Sequence, residues 1–311
     1  VSLPDAHVQR LREQFPDLEI VVATEEEFDR QLSEADAVVH WQLSEEQIAR
    51  APRLRWFQTV GAGVDGLLHP ALIERGILIT NNSGVHATNI AEHVLAMMLA
   101  LARRLPYLIR GQVAHEWRDD AARKGVFELD GQTLLVVGAG DIGQALARRA
   151  AALGMSVLGV RRRPGTELPP GFVEIGSIER LEDFVSRADH TAICLPLTHA
   201  TRGLFNREII FQMRPKSYLY NIGRGPIVDT AALLDALRLG HLAGAGLDVT
   251  DPEPLPADSP LWDMENVIIT AHTSGATPRY WDRALEILAA NIARYRSGAP
   301  LLNVVDPTAG Y

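Results

Sequence analysis

The sequence is short of residues that several kinds of protein depend on. It has one cysteine, Cys194, in 311 residues, so no intrachain disulfide can form, and a reducing, cytoplasmic setting is expected. Cys194 sits in the apolar run 191–195, which reads as a buried strand and makes it an inert core thiol. Basic blocks are missing too: the formal net charge is −9, with both signs interspersed. Nucleic acids and anionic membranes require a dense cationic surface, so neither is an expected partner. Long apolar runs are also absent. The longest, 94–102, is about half of the ~20 residues a bilayer span needs, and Glu92-His93 and Arg103-Arg104 bracket it. Residues 1–12 show no basic start leading into an apolar stretch, so no secretion signal is expected. The histidines have no H-E-x-x-H or similar ligand spacing, and no metal is expected.

What is there suits a globular chain long enough for two cores, with 47% apolar and 22% charged residues. Short apolar strands alternate with amphipathic helices, the pattern of a parallel sheet covered on both faces. Residues 18–23, 37–40, 54–60 and 77–80 read as strands, and Ser44 with Gln47 suits a capping box on a helix over 44–50. A long helix is expected over 88–104. The periodicity then lapses over 110–129, which suggests a linker with an exposed arm carrying Trp117. Further strands are expected at 133–137, 156–160, 191–195, 217–222, 245–249 and 267–270, and helices at 229–239 and 278–296.

The strand 133–137 runs directly into Gly138-Ala139-Gly140-Asp141-Ile142-Gly143, and Ile142, Leu146, Ala150 and Leu153 then mark one face of a helix. Strand, G-x-G-x-x-G and helix in that order form the context of a dinucleotide site. One glycine makes the tight turn, one lets the backbone approach a pyrophosphate, and one lets helix and strand pack closely. The helix start adds free N–H groups and a positive dipole end. About 18 residues beyond Gly143, where an NAD site carries an acid for the ribose hydroxyls, stands Arg161, followed by Arg162 and Arg163. Guanidinium groups suit a 2'-phosphate carrying ~1.5 to 2 negative charges, so NADP(H) is expected in preference to NAD(H).

Three other strand ends carry polar residues: Asn221-Ile222-Gly223-Arg224-Gly225; Asp248-Val249 with Asp251-Pro252-Glu253-Pro254; and Thr270-Ala271-His272-Thr273-Ser274-Gly275. Ligands of doubly wound sheets bind at the carboxyl ends of the strands, where Arg224, Glu253 and His272 can converge. Upstream lie Val60-Gly61-Ala62-Gly63-Val64-Asp65, Asn82-Ser83-Gly84-Val85-His86 and Ala91-Glu92-His93. Together and in this order, with 29 residues from Arg224 to Glu253 and 19 from Glu253 to His272, the motifs resemble the D-isomer-specific 2-hydroxyacid dehydrogenases along nearly the whole chain.

That resemblance implies an α/β protein of two Rossmann-like domains with doubly wound parallel sheets and an active site in the cleft between them. The substrate domain, flavodoxin-like, is expected at 1–98 and 284–311, and the NAD(P)-binding Rossmann domain at 99–283. Arg224 is implied to hold the substrate carboxylate and polarise the carbonyl, and His272 to donate the proton. Glu253, as the partner of His272, favours the imidazolium. Backbone N–H groups of Ala62 and Gly63 are the implied second carboxylate anchor, and Asp248 the acid that orients the nicotinamide carboxamide. Cofactor contacts are further implied at Leu195, Pro196 and Ile222. A homodimer through the cofactor domain is implied as well. Trp117 is expected in a packing role, with reach into a neighbouring active site as the alternative.

Glu253 argues against formate oxidation, where relatives carry glutamine, and a regulatory domain like that of many phosphoglycerate dehydrogenases is not expected after residue 311. The segment after His272 lacks the aromatic residues of D-lactate dehydrogenases. The arginine turn is most similar to NADPH-dependent glyoxylate and hydroxypyruvate reductases, so small 2-oxo acids are the expected substrates. Two rivals stand beside this reading. One is another reaction on the same scaffold, such as phosphite oxidation; the other is a non-catalytic, dinucleotide-sensing corepressor-like protein.

Overall fold

The computed structural model describes residues 3–307 except 65, 164 and 166; Asp65 of the 60–65 motif and Pro164 beyond the arginine turn lie outside the described residues. The chain divides into two compact units, Val1–His86 with Thr277–Tyr311, and Ala87–Ala276.

The first unit opens with helices α1 (Asp5–Gln14) and α2 (Glu25–Gln31). Strand β1 (Ala37–His40), helix α3 (Glu45–Ala49), strand β2 (Trp56–Thr59), helix α4 (Pro70–Glu74) and strand β3 (Leu78–Thr80) follow. The three strands are parallel in the order β1-β2-β3, with Val38 beside Phe57 and Phe57 beside Ile79. Those side chains share a core with Leu32, Ile48 and Leu72. The capping box forms as expected: Ser44 Oγ accepts from the Gln47 N–H, and Gln47 Oε1 from the Ser44 N–H. It satisfies two backbone donors that the start of α3 would otherwise leave without partners.

Residues 18–23 are not a strand. Val21 and Val22 are each 49% exposed, and the Ile20 carbonyl is met by the Arg12 side chain instead of a neighbouring strand. An apolar run makes a strand only when a sheet edge is there to pair with it.

The second unit begins with helices α5 (Ala87–Ala102), α6 (Leu105–Val113) and α7 (Asp120–Arg123). It continues with β4 (Thr133–Val137), α8 (Asp141–Ala152), β5 (Ser156–Arg161), β6 (Glu174–Ser177), α9 (Leu181–Arg187), β7 (His190–Ile193), α10 (Arg207–Gln212), β8 (Tyr218–Asn221), α11 (Thr230–Arg238), β9 (Gly244–Leu247) and β10 (Val267–Ile269). The seven strands are parallel in the order β10-β9-β8-β7-β4-β5-β6, so the winding direction reverses between β4 and β7. Residues 134–137 are fully buried because both sheet faces are covered. Leu134 and Val136 join a cluster with α5 and α8, while Leu135 and Val137 join the cluster holding α9, α10 and α11. The period of two along one strand thus divides the core into two layers.

Helix α5 belongs wholly to this unit. Ile90, Val94, Met97 and Met98 pack with Leu146 and Ala147 of α8. The division therefore falls at 86/87, ahead of the expected 98/99, and on the return at 276/277 instead of 283/284. A helix that buries one face along its length is not divided at its middle. On α8, Leu146 and Ala150 are fully buried, whereas Leu153, expected on the same face, is 41% exposed beyond the helix end. The 110–129 arm contains the end of α6 and the short α7, and Trp117 in it is 96% exposed, so its expected packing role is not met within this chain. The last helix, α12 (Tyr280–Ser297), returns to the first unit, where Leu285, Leu288 and Ala289 pack with Leu11, Phe15 and Trp56. Among the described residues no helix is long and apolar enough to cross a membrane.

Candidate active site

In the second unit, every strand-end residue singled out from the sequence lies at the carboxyl edge of the sheet. The glycine loop joins β4 to α8 at the point where the strand order reverses. Gly138 has φ +107°, and a Cβ there would stand 2.8 Å from the Cys194 carbonyl oxygen. At Gly143 a Cβ would stand 2.2 Å from the Gly138 carbonyl oxygen, because α8 packs tightly on the loop. Gly140 differs: nothing lies within 4 Å of its Cβ position. Gly140 is the N-cap of α8, whose first-turn N–H groups have no helical acceptor. Asp141 is exposed and Ile142 partly buried in that turn. The residues present thus fit a dinucleotide, whose pyrophosphate would take the space beside Gly140. Leu195 and Pro196 follow β7, and the buried Ile222 follows β8. Arg161 ends β5, and its Nε is buried without a hydrogen-bond partner among the described residues. Arg162 and Arg163 are exposed.

Strands β8, β9 and β10 are consecutive neighbours, about 4.8 Å apart, so their ends bring Arg224, Glu253 and His272 to one edge. After β8, Asn221 shapes the turn: its Oδ1 accepts from the Gly223 N–H at 3.1 Å and its Nδ2 donates to the Arg224 carbonyl at 3.1 Å. The half-buried Arg224 donates from Nη1 to the Gly223 carbonyl at 2.9 Å. Gly225 lies so close to the loop after β9 that a Cβ would stand 1.8 Å from the Thr250 carbonyl oxygen. That loop carries Glu253, and it is pinned by Thr230 Oγ1 donating to the Asp251 carbonyl and Thr250 Oγ1 donating to the Pro252 carbonyl. Glu253 Oε1 meets His272 Nδ1 at 2.7 Å, both side chains being nearly half exposed. The contact leaves Nε2 of the imidazole as the atom available for proton transfer.

His272 itself has φ +52°, a left-handed conformation uncommon outside glycine. The reason lies in Asp248, which is 1% exposed and organises the segment around it. Its Oδ1 accepts from Thr270 Oγ1 at 2.6 Å and the Thr273 N–H at 3.0 Å, its Oδ2 from the Ser274 N–H at 3.1 Å, and its carbonyl from the His272 N–H at 2.9 Å. Burial opposes ionisation of this carboxyl, but the hydrogen bonds from Ser274 and Thr270 outweigh it and hold it below the usual carboxylate range. Helix α5 closes the far side: His93 Nε2 lies 3.0 Å from Thr270 Oγ1, and Asn89 Nδ2 donates to the Ser274 carbonyl at 2.7 Å. Asn89 was not singled out from the sequence, and Thr270 and Ser274 stood there only as part of a strand-end motif, without these contacts. Their partners lie up to 185 residues away, and only the folded helix reveals them.

Ala62 and Gly63 belong to the first unit, in the loop after β2. Neither is buried, and among the described residues no acceptor meets either N–H. Among the described residues no three His, Cys, Asp or Glu side chains come together to hold a metal ion. The thiol of Cys194 is pushed up to about 12 by burial, which accords with an unreactive role.

Residues 95–274 match the sequence profile of the D-isomer specific 2-hydroxyacid dehydrogenase, NAD binding domain. The chain is 33% identical to the glyoxylate reductase of Pyrococcus furiosus, over 96% of this chain and 91% of that protein. It is equally 33% identical to the D-3-phosphoglycerate dehydrogenase of Methanocaldococcus jannaschii, over 96% of this chain but 57% of that longer protein. Among solved structures it resembles the NADPH-dependent glyoxylate/hydroxypyruvate reductase of Sinorhizobium meliloti in complex with NADP and sulfate. The TM-score is 0.83 with 32% identity, covering 100% of this chain and 98% of that one.

Proposed function

Because the chain belongs to the D-isomer specific 2-hydroxyacid dehydrogenase family, we propose that it reduces small 2-oxo acids of the glyoxylate and hydroxypyruvate class to D-2-hydroxy acids, using NADPH. The observation that carries the reading is the 2.7 Å contact between His272 and Glu253 on strand ends adjacent to that of Arg224. A bound nicotinamide supplies the hydride. His272 gives a proton from Nε2 to the developing alkoxide, while Glu253 faces the positive charge on the ring. Arg224 binds the carboxylate and polarises the carbonyl with its planar fork of donors. Ala62 and Gly63, in the first unit, offer backbone N–H groups to a carboxylate, and Asp248 holds the histidine segment. The choice of NADPH is supported by the unpartnered Nε of Arg161 at the end of β5, where a 2'-phosphate would meet a guanidinium. The exposed Ile109, Val113 and Trp117 on and beyond α6 support a homodimer.

A panel of glyoxylate, hydroxypyruvate and 3-phosphohydroxypyruvate with NADPH and NADH, beside phosphite with NADP+, tests this directly. Glyoxylate or hydroxypyruvate with NADPH is expected to give the highest kcat/KM, and His272→Ala to lower kcat about 10²- to 10⁴-fold. A preference for NADH, for phosphite or for the phosphorylated acid overturns the corresponding part. Absence of turnover on every substrate favours the sensing protein instead.

A further inference from the structure

We propose that Asn81, Asn82 and Tyr280 are positioning residues, which aim the N–H groups of Ala62 and Gly63 at a substrate carboxylate; the inference rests on the function proposed above. After β2, three successive carbonyls are drawn toward the same segment of the first unit. Val60 O accepts from Asn82 Nδ2 at 3.2 Å and from the Tyr280 hydroxyl. Gly61 O accepts from the Asn82 N–H at 3.0 Å, and Ala62 O from Asn81 Nδ2 at 2.8 Å. In a planar trans peptide unit, C=O and N–H point in opposite directions. Holding the carbonyls of Gly61 and Ala62 inward therefore turns the N–H groups of Ala62 and Gly63 outward. The Gly61 N–H is occupied by Thr59 Oγ1 at 3.1 Å, whereas no described residue accepts from Ala62 or Gly63. Two adjacent outward N–H groups form a concavity of the kind that takes anions.

The tethers are themselves fixed. Asn81 and Asn82 are 5% and 2% exposed. Asn81 Oδ1 accepts from the Ser83 N–H at 3.0 Å, which sets the amide so that its nitrogen faces Ala62. Asn82 Oδ1 accepts from Gln58 Nε2 at 3.1 Å, and Gln58 Oε1 from Thr80 Oγ1 at 2.7 Å and Asn291 Nδ2 at 3.3 Å. Tyr280, at the start of α12, stacks on His86 with ring centroids 5.4 Å apart. A loop can be held in place by apolar packing alone, without burying two amides. What distinguishes this one is that each tether ends on a carbonyl and none on the N–H groups of 62 and 63. Buried amides, costly unless paired, are here paired in the one sense that leaves two donors facing out.

Asn81→Asp tests the idea with little change of shape. It keeps an oxygen for the Ser83 N–H but turns a donor toward Ala62 into an oxygen that repels its carbonyl. The KM for glyoxylate and the inhibition constant of oxamate, an unreactive carboxylate analogue, are expected to rise about 10- to 100-fold. The NADPH dissociation constant and kcat at saturating glyoxylate are expected to hold. Tyr280→Phe, which retains the ring on His86, moves both constants in the same direction by less. Unchanged constants in both variants overturn the inference, as does a parallel loss of NADPH affinity and thermal stability. If the wild-type protein reduces no 2-oxo acid, the functional reading falls separately, and calorimetric binding of oxamate to wild type and Asn81→Asp still decides the role of the loop.

Discussion

Three glycines of one loop meet three different surroundings, and that difference separates folding from ligand binding. A methyl group at Gly143 collides with the Gly138 carbonyl, whereas at Gly140, with φ −84°, it enters open space. Gly140→Ala is therefore expected to keep the thermal midpoint of the wild type while weakening NADPH binding about tenfold or more, through loss of close approach to the pyrophosphate. Gly143→Ala should lower both. Fluorescence titration with NADPH beside thermal melts checks the pair; equal behaviour of the two variants contradicts the assignment. The spacing of these glycines was legible in the sequence because a local turn imposes it. The tethers of the carboxylate loop were not. Asn82 was visible as part of a motif, but its bond to Tyr280 spans 198 residues, and no local pattern encodes which way an amide faces.

At the level of elements, the segment 270–274 wraps a buried carboxylate. Asp248 binds Thr270, Thr273 and Ser274 at once, and this places His272 in its left-handed backbone conformation opposite Glu253. Asp248→Asn puts an amide N–H against these donors. We expect it to cost about 1–3 kcal/mol of stability and to lower kcat by displacing His272. Denaturant melts and kinetics at saturating substrate measure both, and wild-type values for the two would show that the segment holds itself without this carboxylate. Elements with continuous apolar or helical patterns were legible here: β4, α5, α8, α11 and α12 all lie close to their expected positions. Strand β6, Glu-Ile-Gly-Ser, was not, because a four-residue strand with one large apolar side chain carries almost no periodicity. Residues 18–23 erred in the opposite sense, apolar enough for a strand but without a neighbour.

For the whole molecule, acid stability turns on a histidine outside the candidate site. His190, at the start of β7, is fully buried, with Nδ1 3.1 Å from the Tyr220 hydroxyl and Nε2 2.6 Å from Gln132 Oε1. Burial lowers its pKa from 6.5 to about 4, with Asp189 opposing the shift. The unfolded chain binds a proton below about pH 6.5 that the folded one refuses until about pH 4. Stability from this group is thus complete above pH 6.5 and is lost on descent through that window, by about 3 kcal/mol. Asp248, with its lowered pKa, adds a loss in the same direction at lower pH. Urea unfolding at pH 7.0 and 4.5 should show the decline, and His190→Gln should flatten it; an equal slope in the variant places the acid sensitivity elsewhere. Exposed pairs such as Arg123–Asp119 contribute little to this balance.

The solitary thiol has a practical consequence. Cys194 sits where β7 gives way to the loop touching Gly138, and its high pKa leaves almost no thiolate near neutrality. Alkylating reagents therefore react slowly with this half-buried thiol, and faster whenever that strand end opens. The labelling rate of the unmodified protein becomes a clock for local breathing at the dinucleotide edge, readable by mass spectrometry as a single added mass, and any molecule that clamps the edge shut will slow it.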